Sequence, residues 1–452
     1  MEQNTNYDVI VIGAGFAGLT ASCLLSKAGK TIKLLEARDR VGGRVYTKQI
    51  DDKTYVDLGG QWIGPTQDRV YALAQQLGVK TFTSYNTGTH SLLLNERLRR
   101  YSGLIPQVDI LSLLNLDYAI KKLNRLSKTI SLEKPWQSLN AEMFDSQTLA
   151  TFLDKNIYFS SARKILEIGL ETVFACHSSE ISLLHALFYI KSGTDLEHLF
   201  NMEGGAQQDR LIGGAQSLAN RLAENLGKYI VQLSSPVQRI EQLSDKVLVS
   251  GTGFQYQAKH VVVALPPTLT SKITYSPLLP REREQLTQRV PMGFVVKCFA
   301  IYEKPFWRDA KLSGMGVSDR GYLQATFDAS PYDASRGILL GFSIANRGRA
   351  FMKLPLEERK ELVLKTFSEY FGPQALKPIY YLDHCWADEE WSRGCYVGFM
   401  PPGVWTAYGE ALAKPVDKIH WAGTETSPIW NGYIDGAIRS GERVAKEVLS
   451  LL

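Results

Sequence analysis

The chain has 452 residues, 44% of them hydrophobic, and its 51 basic and 46 acidic side chains leave a formal net charge of +5. That length can bury large cores and points to two or more domains. So small and scattered an excess of positive charge gives no case for nucleic acid as a partner.

The five cysteines, Cys23, Cys176, Cys298, Cys385 and Cys395, are odd in number and form no CxxC pair. A reducing, cytoplasmic setting is therefore expected rather than a disulfide framework. The polar N-terminus leads directly into a strand pattern with no signal peptide in view. No apolar run approaches membrane-spanning length, the best being fragments such as Ile338 to Ala345.

The first element is the continuous β-branched run Val9 to Ile12, the pattern of a strand buried on both faces. Gly13 turns the chain into a helix running to about Lys27, with Gly29 placed to end it. In Gly13-Ala-Gly15-Phe-Ala17-Gly18 the first glycine makes the turn and Gly15 leaves room for phosphate. Gly18 lets the helix lie close to the sheet, and the free N–H groups and dipole of the helix start suit a pyrophosphate. A second apolar strand, Ile32 to Leu35, ends in Glu36, an acceptor for ribose hydroxyls. The unit reads as a dinucleotide cradle. Arg38, Gly42, Gly43 and Arg44 follow at once, a backbone that passes close to a bulky ligand with cations beside its phosphates.

Asp57-Leu-Gly59-Gly60-Gln61-Trp62-Ile-Gly64-Pro65 is a further glycine-dense crossing suited to backbone passing under a ligand. Residues 81–200 are mostly helical in pattern, with amphipathic stretches at Leu111 to Leu126 and Ala162 to Phe174, and read as a cap. Strand-like text returns at Arg210 to Gly214 and at Pro236-Val237-Gln-Arg-Ile240, and Val261 to Leu265 is a buried strand closed by two prolines. From 290 to 390, apolar and aromatic strands such as Phe294 to Tyr302 and Ile338 to Ile344 predict an antiparallel sheet.

Lys297 falls inside the first of these, on one face with Val295, Phe299 and Ile301. It reads either as an edge lysine whose head reaches water or as a functional cation. Trp391-Ser-Arg393-Gly394-Cys395-Tyr396 follows, its Cys395 nine residues after Trp386. Near the end, Ile419 to Trp421 leads into the polar Gly423-Thr-Glu425 loop, and Trp430-Asn-Gly-Tyr433-Ile434 opens a final helix. Gly436, Ala437, Ser440, Gly441 and Val444 make one face of that helix flat, as required where it packs closely on a sheet.

The cradle with its Gly43-Arg44 extension, the Cys395 segment and the final helix together resemble the flavin-containing monoamine oxidase family, from residue 7 to 449. That resemblance implies an α/β fold with a Rossmann-like FAD-binding domain of GR2 type, built from residues 1–80, 205–289 and 391–452. Residues 81–204 and 290–390 would form an α+β substrate domain. It implies FAD held by the residues above together with Ala17, Val237, Trp386, Gly423, Glu425 and Ile434, and bonded covalently through Cys395. Arg393 stands where the family motif has a small residue.

By the same resemblance Lys297 holds a water against the flavin, Tyr396 and Tyr433 form an aromatic cage, and Gln207 faces the substrate. The reaction implied is oxidation of an amine to an imine, with molecular oxygen as the final acceptor. Neither a metal nor a membrane-anchoring tail is expected, a homodimer is plausible, and a soluble protein is implied. A polyamine oxidase, with Glu203 receiving a distal ammonium, stays open as an alternative.

Overall fold

In the computed structural model, which describes residues 6–103 and 108–452, the run Val9 to Ile12 lies in the strand Asn6–Ile12 and is buried on both faces. It pairs in parallel with Ile32–Leu35 on one side and with Phe254–Val263 on the other. Parallel strands without a polar face need cover above and below. Val9 and Val11 pack with the first helix, Phe16–Lys27, and the last, Ile434–Leu449. Ile10 and Ile12 pack instead with Tyr256, Tyr275 and Trp421.

Eight strands make this sheet, in the order Val231–Gln232, Ile32–Leu35, Asn6–Ile12, Phe254–Val263, Val247–Gly251, Val237–Gln242 and Thr274–Ser276, with Ile419–Trp421 paired to the far end of Phe254–Val263. Segments from both ends of the chain therefore share one sheet.

Two glycines set the helix positions. A Cβ on Gly18 would lie 1.9 Å from the carbonyl oxygen of Gly13, so only glycine lets the first helix start this close to its strand. A Cβ on Gly441 would lie 2.4 Å from the carbonyl oxygen of Ala17. The small-residue face of the last helix thus meets the first helix, where the sequence suggested a sheet. The reason is that the first helix already covers that face of the sheet, and the last helix packs alongside it.

The second large sheet has seven strands, ordered Tyr380–Cys385, Val295–Tyr302, Gly337–Ile344, Ala325–Asp328, Leu312–Ser318, Thr89–Leu94 and Arg97–Tyr101. Its pairings are antiparallel except that of Leu312–Ser318 with Thr89–Leu94, which is parallel. The sheet is therefore mixed, and Thr89–Leu94 and Arg97–Tyr101 are strands where the pattern suggested helix. Leu92, Leu93 and Leu94 favour helix by themselves, and cross-strand pairing overrides that weak preference.

The helices Ile110–Lys128, Ser160–Phe174 and Leu183–Ser192 form a helical layer around a core that includes Leu123, Leu170 and Phe188. Among the described residues no helix is long and apolar enough to cross a membrane.

Candidate active site

The helix Phe16–Lys27 begins at Gly15 with no side-chain cap, so its first N–H groups are left for something outside the helix. They face a cavity of about 940 Å³ that runs from the cradle, between the two large sheets, to the helical layer. Gly13 takes a φ of +99° at the turn, and Gly43, at +58°, brings its backbone against Gly15.

Of the residues singled out in the sequence, Gly13, Gly15, Ala17, Glu36, Arg38, Gly43, Arg44, Gly59, Gly60, Gln61, Trp62, Gln207, Val237, Lys297, Cys395, Tyr396, Gly423, Tyr433 and Ile434 all line this one cavity. Gly18, Trp386 and Glu425 stand behind its wall. Gly18 fixes the turn, and Trp386 donates from Nε1 to the carbonyl of Leu58 at 2.8 Å, next to Gly59. Glu425 holds Arg44.

The Glu36 carboxylate is buried and accepts from the backbone N–H of Ala14 at 2.7 Å and of Arg38 at 3.0 Å. It ties the glycine turn to the end of the second strand, with acceptor capacity left for a ligand hydroxyl. Arg38 donates to the hydroxyl of Ser392, another cavity residue, at 2.8 Å.

Arg44, expected as a cation beside the phosphates, lines the cavity and is also held by protein partners. Its guanidinium donates to both oxygens of Glu425, at 2.7 and 3.0 Å, and to the carbonyl of Tyr396 at 2.8 Å. Burial works against its charge, but Glu425 prevails and raises its pKa. The fork matches a planar carboxylate in two parallel bonds.

Lys297 lies on an interior strand, between Gly337–Ile344 and Tyr380–Cys385, so the edge-lysine reading does not hold. Its Nζ is buried and donates to the carbonyls of Asp57 at 2.7 Å and Gly59 at 2.9 Å and to Gln61 Oε1 at 2.6 Å. The rings of Trp62, Phe299 and Phe342 surround it. Burial pulls its pKa down to about 7, against the opposing pull of Asp57. Burial in turn raises that of Asp57, whose Oδ1 accepts from the Thr47 hydroxyl at 2.6 Å and the Ala215 N–H at 3.0 Å. Asp57 stood in the sequence only as the start of a glycine-rich crossing, with no signal that it would lie beside the lysine.

Cys395 is a buried free thiol, its pKa pushed up to about 12 by burial, with Arg44 and Lys297 pulling the other way. Its N–H donates to the carbonyl of Gly293 at 2.9 Å, and a Cβ on Gly394 would lie 2.5 Å from that same oxygen. Arg393 does not disturb this turn, because its side chain is exposed and donates to the carbonyl of Glu390 at 3.0 Å. Tyr396 follows directly. Tyr433 is wedged against Trp430, with ring centres 4.7 Å apart, and against Tyr189 at 6.1 Å. Burial raises the pKa of both phenols, so they remain neutral at physiological pH. Tyr189 was missed because it sits in the apolar helix Leu183–Ser192, where its position reads as core.

A glycine cradle, a buried lysine and a pair of tyrosines in one cavity invite comparison with known enzymes. The profile of the flavin containing amine oxidoreductases matches residues 16–449. The chain belongs to that family. It is 38% identical over 448 residues to a probable flavin-containing monoamine oxidase A of Dictyostelium discoideum, covering 99% of this chain and 98% of that protein. It is 39% identical over 445 residues to the putative flavin-containing monoamine oxidase AofH of Mycobacterium tuberculosis, covering 98% and 97%.

Among solved structures, a putrescine oxidase bound to putrescine superposes with a TM-score of 0.95 at 32% identity, over 98% of this chain and 99% of that one. Cyclohexylamine oxidase from Brevibacterium oxydans does so with a TM-score of 0.95 at 31% identity, over the same shares. The protein is therefore a flavin-dependent amine oxidase. The uncapped helix start, the Gly15–Gly43 approach and the Glu36 carboxylate fit the dinucleotide part of such a cofactor. The buried Nε2 of Gln61 and Nε1 of Trp62, without partners among the described residues, are donors suited to the polar edge of a ring system. Among the described residues no cluster of His, Cys, Asp and Glu could hold a metal ion.

Proposed function

We propose that this amine oxidase takes an amine on an apolar body to the imine, which water then converts to the aldehyde, with oxygen reduced to hydrogen peroxide. The observation that carries the reading is the convergence of Lys297, Tyr396 and Tyr433 on the cavity that holds the glycine cradle. The bound flavin supplies the two-electron acceptor for the carbon bearing the amine nitrogen.

The chain's own groups do the rest. Two neutral phenol rings offer π-faces past which an amine nitrogen approaches. Gln207 donates through Nε2 to the carbonyl of Leu199 at 3.1 Å, and its buried Oε1, unpartnered among the described residues, can accept an N–H of the amine. Beyond them the wall is apolar, with Leu166, Ile168, Leu199, Met315 and Phe327. This apolar stretch favours a monoamine with a hydrocarbon or aryl body; a polyamine would need its distal ammonium to reach Glu203, which lines the same cavity but is exposed. Lys297 lines this cavity with its three N–H groups on the Asp57 and Gly59 carbonyls and on Gln61, so it would act on the reacting atoms through its charge and through Gln61. Cys395 is the thiol to which the flavin would be joined.

Mixing holoenzyme anaerobically with a panel of monoamines, diamines and polyamines tests the reading directly. Bleaching of the flavin by apolar monoamines, with peroxide released on admitting air, is the expected result. Bleaching by polyamines alone would reverse the preference, and bleaching by no amine would refute the reaction.

A further inference from the structure

Lys297 uses every proton it has. Its ammonium carries three N–H donors and no acceptor, and three acceptors surround it: the backbone carbonyls of Asp57 and Gly59 and the side-chain carbonyl of Gln61. Two of these are fixed in the chain. The third is an amide on rotatable bonds, 2% exposed, whose other end, Nε2, is buried and has no partner among the described residues. Gln61 also lines the cavity that Lys297 lines.

We propose that Gln61 is a positioning residue that converts the charge of Lys297 into hydrogen-bond polarity facing the flavin cavity. It turns its carbonyl inward to the ammonium and its NH2 inward to the neutral amine. With a charged lysine only the carbonyl can face inward, so the cavity meets an N–H donor. When Lys297 gives up its proton to solvent, its two remaining N–H groups stay on the two backbone carbonyls. Its new lone pair then points at Gln61, where it repels the amide oxygen and attracts the amide nitrogen. Rotation by half a turn satisfies it, and the cavity then meets an acceptor. The amide's near-symmetric shape lets this happen without repacking.

The switch falls within reach of physiological pH because burial lowers the lysine's pKa to about 7. The charged groups around it are Asp57, which favours the ammonium, and Arg210, which opposes it; Cys395 nearby is titratable but keeps its proton in this pH range. His384, opposite Lys297 on the strand Tyr380–Cys385, has its own pKa lowered by burial, with Lys297 among the cations adding to that. The strand on the other side contributes Phe342, which carries no charge.

The inference rests on the reading that Lys297 faces the flavin. Its test is a pH titration of the flavin absorption spectrum in substrate-free holoenzyme, for wild type, Gln61→Met, Gln61→Glu and Lys297→Met. A transition present in wild type and absent from Lys297→Met belongs to the lysine. In Gln61→Met, which removes an acceptor from the ammonium, the midpoint should fall by about one pH unit; in Gln61→Glu, close in shape and negative, it should rise by about as much. The spectral change itself should shrink in Gln61→Met, which has no amide to turn. A lysine-dependent transition that neither Gln61 variant moves would overturn the inference and leave the reading of Lys297 standing. No lysine-dependent transition would overturn both. Melting temperatures of the variants guard against misfolding, and Gln61→Glu alone decides the sign if Gln61→Met proves unstable.

Discussion

Arg44 and Glu425 are 381 positions apart in the chain and meet through two nearly parallel hydrogen bonds of 2.7 and 3.0 Å. The carboxylate is almost fully buried and also accepts from the N–H of Gly398 at 3.2 Å. One pair thus ties together the cradle extension, the turn after Cys395 and the loop before the last helix.

Breaking that pair from one side leaves a buried charge alone. Glu425→Ala should cost about 3 kcal/mol of stability, whereas Glu425→Ala combined with Arg44→Met should cost less than the sum of the two single changes. Chemical denaturation of the four proteins checks this. Strictly additive losses would show that the two side chains are not coupled.

Two glycines in the same motif should fail differently. Gly18→Ala drives a methyl to within 1.9 Å of the Gly13 carbonyl oxygen, so it should destabilise the fold itself. Gly15→Ala meets nothing in the protein nearer than Gly43 Cα at 3.9 Å, so the chain should fold normally and lose flavin. Melting curves and flavin content, measured together, separate the outcomes; equal melting losses in the two variants would contradict the distinction.

For Cys395, flavin should stay with the polypeptide after acid precipitation, and Cys395→Ala should release it. Burial keeps the thiol protonated at neutral pH. Because the thiolate is the nucleophile, covalent incorporation into apoprotein should speed up about tenfold per pH unit below that pKa. Intact mass after timed reconstitution from pH 7 to about pH 9 measures the rate. A pH-independent yield would exclude the thiolate as the attacking species.

The buried lysine also gives stability a pH dependence of definite sign. Folded, Lys297 titrates at about 7, against 10.5 for an ordinary lysine. Below about 7 the ammonium is present in both states, and the folded chain bears the full cost of burying it. As pH rises between the two values the unfolded chain holds more protons, so wild-type apoprotein gains stability relative to Lys297→Met. The gap between the two should change by about 1.4 kcal/mol per pH unit across that window. A constant gap would mean that the lysine is not depressed.

The sequence made the cradle legible because its constraints are local. Val9 to Glu36 contains the strand, turn, helix and acid of one contiguous unit, and the structure joins Glu36 to Ala14 within it. Lys297 was legible as an anomaly, a cation among Val295, Phe299 and Ile301, but its partners lie more than 230 positions away. Nothing local distinguishes the Asp57 carbonyl from any other. Arg44 was seen as a ligand residue and its partner Glu425 as another, yet pattern cannot reveal that each faces the other. The strand Thr89–Leu94 escaped for the same reason, since its parallel partner Leu312–Ser318 lies far along the chain, and the edge strand Arg97–Tyr101 is held by pairing with it.

The pairing of Ile419–Trp421 with Phe254–Val263, and the seating of the last helix on the first, also govern when the enzyme can be assembled. Cavity-lining residues run from Ile12 to Ala437. A ribosome building this chain N-terminus first, at roughly 5–20 residues per second, displays the glycine turn and Glu36 within seconds. The opposite wall, with Gly423, Tyr433 and Ile434, is made only after every other segment of the cavity. Cofactor capture therefore waits for that last segment, and a nascent chain stalled before Gly423 would expose half of a binding site with nothing to close over the ligand.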